Sequence, residues 1–134
     1  MFYSIWKRLD FDMITLVDDD LSVLQGNAGL LRSIGYDVKT FESGRELLEW
    51  SRLAEACCVI TDVMMPEIDG FELQRRLALQ GFQFPVIFLT AITETATRER
   101  LLRAGAYDVL SKPCPEKRLL DCLEAALEHC QRPH

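Results

Sequence analysis

A chain of 134 residues, 49% hydrophobic and 27% charged with a formal net charge of −6, suits one folded domain whose core needs no covalent staple. No apolar run approaches the roughly 18 residues of a membrane span, and the negative balance repels a nucleic-acid backbone, so neither membrane insertion nor direct nucleic-acid binding is expected. Cys57, Cys58, Cys114, Cys122 and Cys130 form no CxxC pair, have no histidine at ligand spacing and follow no secretory leader, which predicts reduced, apolar filler in a cytoplasmic protein.

Residues 1–12 come first as an extension in which Phe2, Ile5, Trp6 and Leu9 share one helical face. Two readings stay open for it: a segment docking on the domain or on a second copy, or a disordered or alternative-start leader, given that Met13 follows. The domain itself is expected over residues 13–134. Residues 14–17 form a short apolar run, the pattern of a strand covered on both faces, and Asp18, Asp19 and Asp20 follow it directly. Val23, Leu24, Leu30, Leu31 and Ile34 then make a helical stripe, with Ser22 near its start and Gly35 after its end. Residues 37–41 mix polar and apolar positions as an edge strand does. Residues 43–52 open with Ser43 and Glu46, a capping-box spacing, and carry Leu47, Leu48 and Trp50.

Residues 57–61 form a second short, largely apolar run that predicts a strand covered on both faces, with Asp62 immediately after it. Residues 69–80 form a helix on Phe71, Leu73 and Leu77, stopped by Gly81. A third buried strand covers residues 86–89 and ends at Thr90. Residues 93–104 predict the most weakly anchored helix, because Leu101 and Leu102 are its only large apolar side chains. Residues 107–110 make the second edge strand, and Lys112 follows it. Leu119, Leu120, Leu123, Ala126, Leu127 and Cys130 give the last helix a broad apolar face.

Five strands alternating with five helices predict an α/β fold, a doubly wound parallel (βα)5 sheet in the flavodoxin-like order 2-1-3-4-5. Ligands of such sheets bind beyond the carboxyl ends of the strands, where Asp18, Asp19, Asp62, Thr90 and Lys112 all fall. Carboxylates gathered there repel one another unless a cation intervenes, and Mg²⁺ (or Mn²⁺) suits an all-oxygen donor set. Asp62 can then act as a nucleophile forming an aspartyl-phosphate, with the metal and Lys112 offsetting phosphoryl charge and the Thr90 hydroxyl donating to it. Asp20 is expected to be a helix cap. No histidine, serine or cysteine nucleophile with a partner base lies nearby, so the phosphoryl donor must come from elsewhere.

The segments Val17-Asp18-Asp19-Asp20, Thr61-Asp62-Val63-Met64-Met65-Pro66-Glu67-Ile68-Asp69-Gly70, Phe88-Leu89-Thr90-Ala91 and Ala104-Gly105-Ala106-Tyr107-Asp108-Val109-Leu110-Ser111-Lys112-Pro113 resemble the receiver domain of bacterial two-component response regulators. Gly70-Phe71-Glu72-Leu73-Gln74-Arg75-Arg76-Leu77 is most similar to FixJ-type receivers. By this resemblance Asp62 is the phosphoacceptor, Asp19 a direct metal ligand, Asp18 a ligand largely through water, and the Met64 carbonyl a further metal contact. Thr90 and the Ala91 amide would hold the phosphoryl group, Lys112 would pair with it, and the Lys112–Pro113 bond would be cis.

The resemblance further implies a switch rather than a turnover enzyme. A sensor histidine kinase or a phosphotransfer protein would be the donor. Helix four, strand five and helix five would present the changed surface to an output partner, to an output domain absent from these residues, or to a second copy. Val109 stands where the family usually carries a switch aromatic. Tyr107, two positions earlier, is expected on the same side of the strand as Val109, so either it or a rearranged helix four is expected to move instead. Met64 and Ile92 are apolar where some relatives orient an attacking water, which predicts a long-lived aspartyl-phosphate. An alternative is a pseudo-receiver acting as an interaction scaffold. A flavin carrier on the same sheet order is disfavoured by the carboxylates, which would repel its phosphate.

Overall fold

Residues 12–92 and 94–128 are described in a computed structural model of the chain. The proposed helical face of Phe2, Ile5, Trp6 and Leu9 lies outside the described residues, as do Thr93 and Cys130. Five parallel strands, β1 (Met13–Val17), β2 (Asp37–Phe41), β3 (Ala56–Thr61), β4 (Val86–Thr90) and β5 (Asp108–Ser111), form one sheet in the order β2-β1-β3-β4-β5. This is the predicted topology, with strand ends within a residue of the sequence pattern. Every residue of β1, β3 and β4 is buried, whereas β2 alternates, as its mixed composition requires of an edge.

Period-two alternation splits the core into two layers. Ile14, Leu16, Cys58, Ile60, Ile87, Leu89 and Leu110 face α1 (Leu21–Ile34) and α5 (Glu116–Glu128). Val17, Val59, Val86, Phe88 and Val109 face α2 (Gly44–Glu49), α3 (Gly70–Leu79) and α4 (Thr95–Arg103). A register shift between Met13 and Ile14 against β3 turns Cys57 into the same layer as Cys58. None of the four described cysteines is in a disulfide, and burial pushes the Cys122 thiol up to about 11. That agrees with the reading as inert filler.

Helix ends follow their side-chain chemistry. Asp20 caps α1 by accepting from the amides of Ser22 and Val23, Asp69 caps α3 by accepting from Glu72, and Gly35 closes α1 at φ 119°. Ser43 accepts from the Glu46 amide, but the Glu46 carboxylate takes the amide of Glu42 rather than closing the box on Ser43. Helix α2 ends at Glu49, earlier than its pattern suggests, and the chain continues through a 3₁₀ turn at Leu53–Glu55. In α1, Ile34 is exposed, so the buried stripe narrows to Leu24, Ala28 and Leu31.

Helix α4 is the loosely held one, as expected: Leu101 is its one buried side chain, and Glu94 makes no capping bond. Helix α5, by contrast, buries Leu119, Cys122, Leu123, Ala126 and Leu127. Amides of α4 should therefore exchange with solvent roughly tenfold faster than those of α5, a difference of about 1.4 kcal/mol in opening free energy. Residue-resolved hydrogen exchange measures this, and equal protection in the two helices would contradict it.

Candidate functional site

The carboxyl ends of the strands bring the acidic residues together through the backbone. The Asp18 amide donates to the Phe41 carbonyl (3.1 Å) and the Asp62 amide to Val17 (3.2 Å), so both residues continue the ladders of β2-β1-β3. The Lys112 amide donates to the Thr90 carbonyl (2.8 Å), which fixes β5 against the end of β4. Beneath Asp62, the buried Thr61 hydroxyl donates to the Asp62 carbonyl at 3.0 Å.

Side chains complete the arrangement. The Lys112 ammonium donates to Asp18 Oδ2 at 2.8 Å and to Asp62 Oδ2 at 2.9 Å. The other carboxylate oxygens accept backbone amides: Asp18 Oδ1 from Asp20 (2.9 Å) and Asp62 Oδ1 from Val63 (2.6 Å). All three side chains are largely withdrawn from water, 18% exposed for Lys112, 8% for Asp18 and 13% for Asp62. Burial pulls the Lys112 pKa down, but the hydrogen bonds that its ammonium donates to Asp18 and Asp62, together with the attraction of their charges, outweigh it and hold the group above its usual range.

Asp19 is exposed, and one oxygen from each of Asp18, Asp19 and Asp62 lies within 4.8 Å of the others. Three carboxylates facing one ammonium leave an excess of negative charge. Each like-charged pair at such a distance costs on the order of 3 to 4 kcal/mol at an effective dielectric of 20. An all-oxygen donor set with uncompensated charge fits a hard divalent cation, and Asp18, Asp19 and Asp62 are the residues to hold it.

Thr90, Ala91 and Met64 reach the same rim through the chain: among the described residues no hydrogen bond joins them to the carboxylates. Thr90 is buried and its oxygen accepts the Ile92 amide at 3.2 Å, while Met64 is 66% exposed. The Lys112–Pro113 bond is cis, as the resemblance implied. Val109 is buried in the α2/α3/α4 layer. Tyr107, however, packs against the α1/α5 layer. The expectation that it shares a side with Val109 is wrong, because β5 begins only at Asp108 and strand alternation does not extend back to residue 107.

The sequence pattern missed two positioning features. Gly70 sits where a Cβ would come 2.6 Å from Phe88 Cε1 and 2.9 Å from the Asp62 carbonyl oxygen and Val63 Cα, and its amide donates to Val63 at 2.7 Å. Only glycine lets α3 start this close to the Asp62 turn. Glu67 takes the left-handed region at φ 67°, and nothing in its identity signals that.

Residues 14–124 match the family described as response regulator receiver domain. The transcriptional regulatory protein TdiR of Thauera aromatica is 39% identical over 114 residues, covering 85% of this chain and 50% of TdiR. The response regulator protein TmoT of Ectopseudomonas mendocina is 39% identical over 116 residues, covering 87% of this chain and 53% of TmoT. The chain thus spans about half the length of these curated relatives. The crystal structure of FixJ-N superposes with a TM-score of 0.82 at 27% identity, covering 91% of this chain and 98% of that one.

Gly70→Ala should destabilise the fold by about 1 to 3 kcal/mol through overpacking and shift the NMR resonances of Asp62 and Val63. Gly29→Ala, at an open position in α1 with nothing within 4 Å of the added carbon, should instead stabilise by about 0.5 to 1 kcal/mol. Chemical denaturation of both variants checks the contrast in sign.

Proposed function

The chain belongs to the response regulator receiver domain family, and from that premise we propose that it is a phosphorylation-driven switch whose phosphoacceptor is Asp62. The observation that carries this reading is the Lys112 ammonium shared between Asp18 and Asp62, with Asp19 in reach of both. A phosphohistidine on a sensor kinase or phosphotransfer protein is the donor: its P–N bond breaks as a bond forms from Asp62 to phosphorus, and the imidazole leaves. Mg²⁺ or Mn²⁺, when bound, supplies positive charge against the phosphoryl oxygens.

The chain's own groups do the rest. Asp19 would be a direct ligand of the cation, with the Met64 carbonyl beside it and Asp18 bound largely through water; the carboxylate oxygens of Asp18, Asp19 and Asp62, all within 4.8 Å of one another, support that grouping. Lys112 passes from the bare Asp62 carboxylate to a phosphoryl oxygen. Thr90 already accepts the Ile92 amide at its oxygen, which leaves its hydroxyl hydrogen to donate to the phosphoryl group next to the Ala91 amide. The chain would catalyse its own phosphorylation and dephosphorylation and serve as a switch, not as a turnover enzyme.

Output runs through α4, β5 and α5, since the chain passes from Thr90 and Ala91 directly into the loosely anchored α4. With Tyr107 packed on the other layer, α4 is the moving part. The half-length match to regulatory relatives supports an output domain or partner beyond these residues. A cytoplasmic location belongs to the same proposal and is supported by the family match alone; no helix among the described residues is long and apolar enough to cross a membrane.

Acetyl phosphate with Mg²⁺ should add one phosphoryl group to the parent chain by intact mass, and none without the metal or in Asp62→Ala. A parent that gains no mass would instead make this an unphosphorylated interaction scaffold. The aspartyl-phosphate should be long-lived, because Met64 and the half-buried Ile92 offer an attacking water no polar guide. Its decay at neutral pH should be several-fold slower than in a Met64→Asn, Ile92→Glu double variant; a parent that decays faster contradicts this.

A further inference from the structure

Helix α1 places one amide against the underside of the acidic rim. Asn27, half-buried, lines a void of about 10 Å³ together with Asp18, Thr61 and Asp62, a space otherwise walled by aliphatic side chains such as Leu24 and Leu89. The same residue lines a groove of about 390 Å³ that runs past Lys112, Pro113 and Cys114 to solvent. A void of this size takes a single water, and does so only where two to four polar groups surround it. The Asn27 amide and the two carboxylates meet that requirement, where an all-apolar void would stay dry.

Both carboxylates have acceptor capacity to spare. Asp18 uses one oxygen for the Asp20 amide and the other for Lys112, and Asp62 uses one for Val63 and the other for Lys112. Each carboxylate oxygen offers about two acceptor directions, so a further donor on the α1 side would find an open lone pair on either residue.

We propose that Asn27 is a positioning residue for the acidic rim, holding in this void one water that donates to Asp18 and Asp62 and fixes the planes of their carboxylates. This rests on the reading of Asp18, Asp19 and Asp62 as a cation and acceptor site. Groups that orient metal ligands from behind commonly set metal affinity over a factor of 10 to 100. The groove gives the water its route to bulk solvent. Asn27 touches neither the cation nor the phosphoryl group; it acts through the carboxylates.

The test has two independent arms. In the metal-free protein, water-selective NMR should show a long-lived water in contact with the Asn27 side-chain amide and the Thr61 backbone amide. In Asn27→Leu, which fills the void with aliphatic carbon, the Thr61 contact should vanish, and calorimetric titration with Mg²⁺ should give about tenfold weaker binding at an unchanged melting temperature. Asn27→Ala removes the amide without adding bulk and should also weaken Mg²⁺ binding several-fold; it decides the matter should the leucine variant not fold. Absence of the water contact in the parent, or parental Mg²⁺ affinity in a folded variant, overturns the inference. Failure of the parent itself to bind Mg²⁺ defeats the cation reading instead, and the metal-free water contact then decides the role of Asn27 alone.

Discussion

An ammonium group lying 2.8 Å from Asp18 and 2.9 Å from Asp62 allows three carboxylates to occupy one end of this sheet. Lys112 is 94 residues from Asp18 and 50 from Asp62 in the chain, so the contact exists only once β1, β3 and β5 lie in their places. Folding and site assembly are therefore one event. A buried ion pair such as this adds little net stability, because desolvation offsets the attraction. What it provides is placement: the Lys112 ammonium holds the Asp18 and Asp62 carboxylates together at one rim, with Asp19 beside them.

The surroundings of the receiver site divide into a fixed side and a loose side. On the fixed side, Phe88 and the Asp62 turn close over Gly70, and the Asp69 cap starts α3 at that point. Helix α3 in turn grips the far end of α4, through the Gln74 amide to the Ala104 carbonyl (2.6 Å) and through Arg100 stacked 4.0 Å over the Phe71 ring. Gln74 leaves its own Oε1 buried without a partner, a local cost accepted at the joint between the helices. On the loose side, the opposite end of α4 follows the Thr90 turn with no capping side chain. The helix is thus joined to α3 at the end farther from Asp62 and left without a capping side chain at the end that follows Thr90.

Much of this architecture was legible in the sequence, for a physical reason. Strands buried on both faces leave unbroken apolar runs, and the polar residue that ends each run lands on the same rim whatever the details of packing. Asp18, Asp62, Thr90 and Lys112 were found in that way. Tyr107 was misplaced because strand alternation is a rule only inside a strand, and the boundary at Asp108 is set by pairing with Ile87. Gly70 was visible as a letter in a motif, but its necessity depends on Phe88 and Val63 arriving from elsewhere. Asn27 carried a faint signal, a polar side chain bordering the stripe of Leu24, Ala28 and Leu31, whose meaning appeared only with the void it lines.

Both margins of the sheet are guarded by arginine. Arg32 of α1 donates to the Val38 carbonyl of β2 at 2.9 Å, and Arg98 of α4 donates to the Val109 carbonyl of β5, whose amide is taken by Asp108 at 2.7 Å. A guanidinium on an edge carbonyl stands in for the neighbouring strand that would otherwise add there. The two guards differ in their mounting. Arg32 rides on a helix packed through Leu24, Ala28 and Leu31, whereas Arg98 rides on α4. Any displacement of α4 large enough to lift Arg98 leaves β5 an open template for a stray strand, so the helix best suited to carry a signal is also the sheet's protection against misassembly.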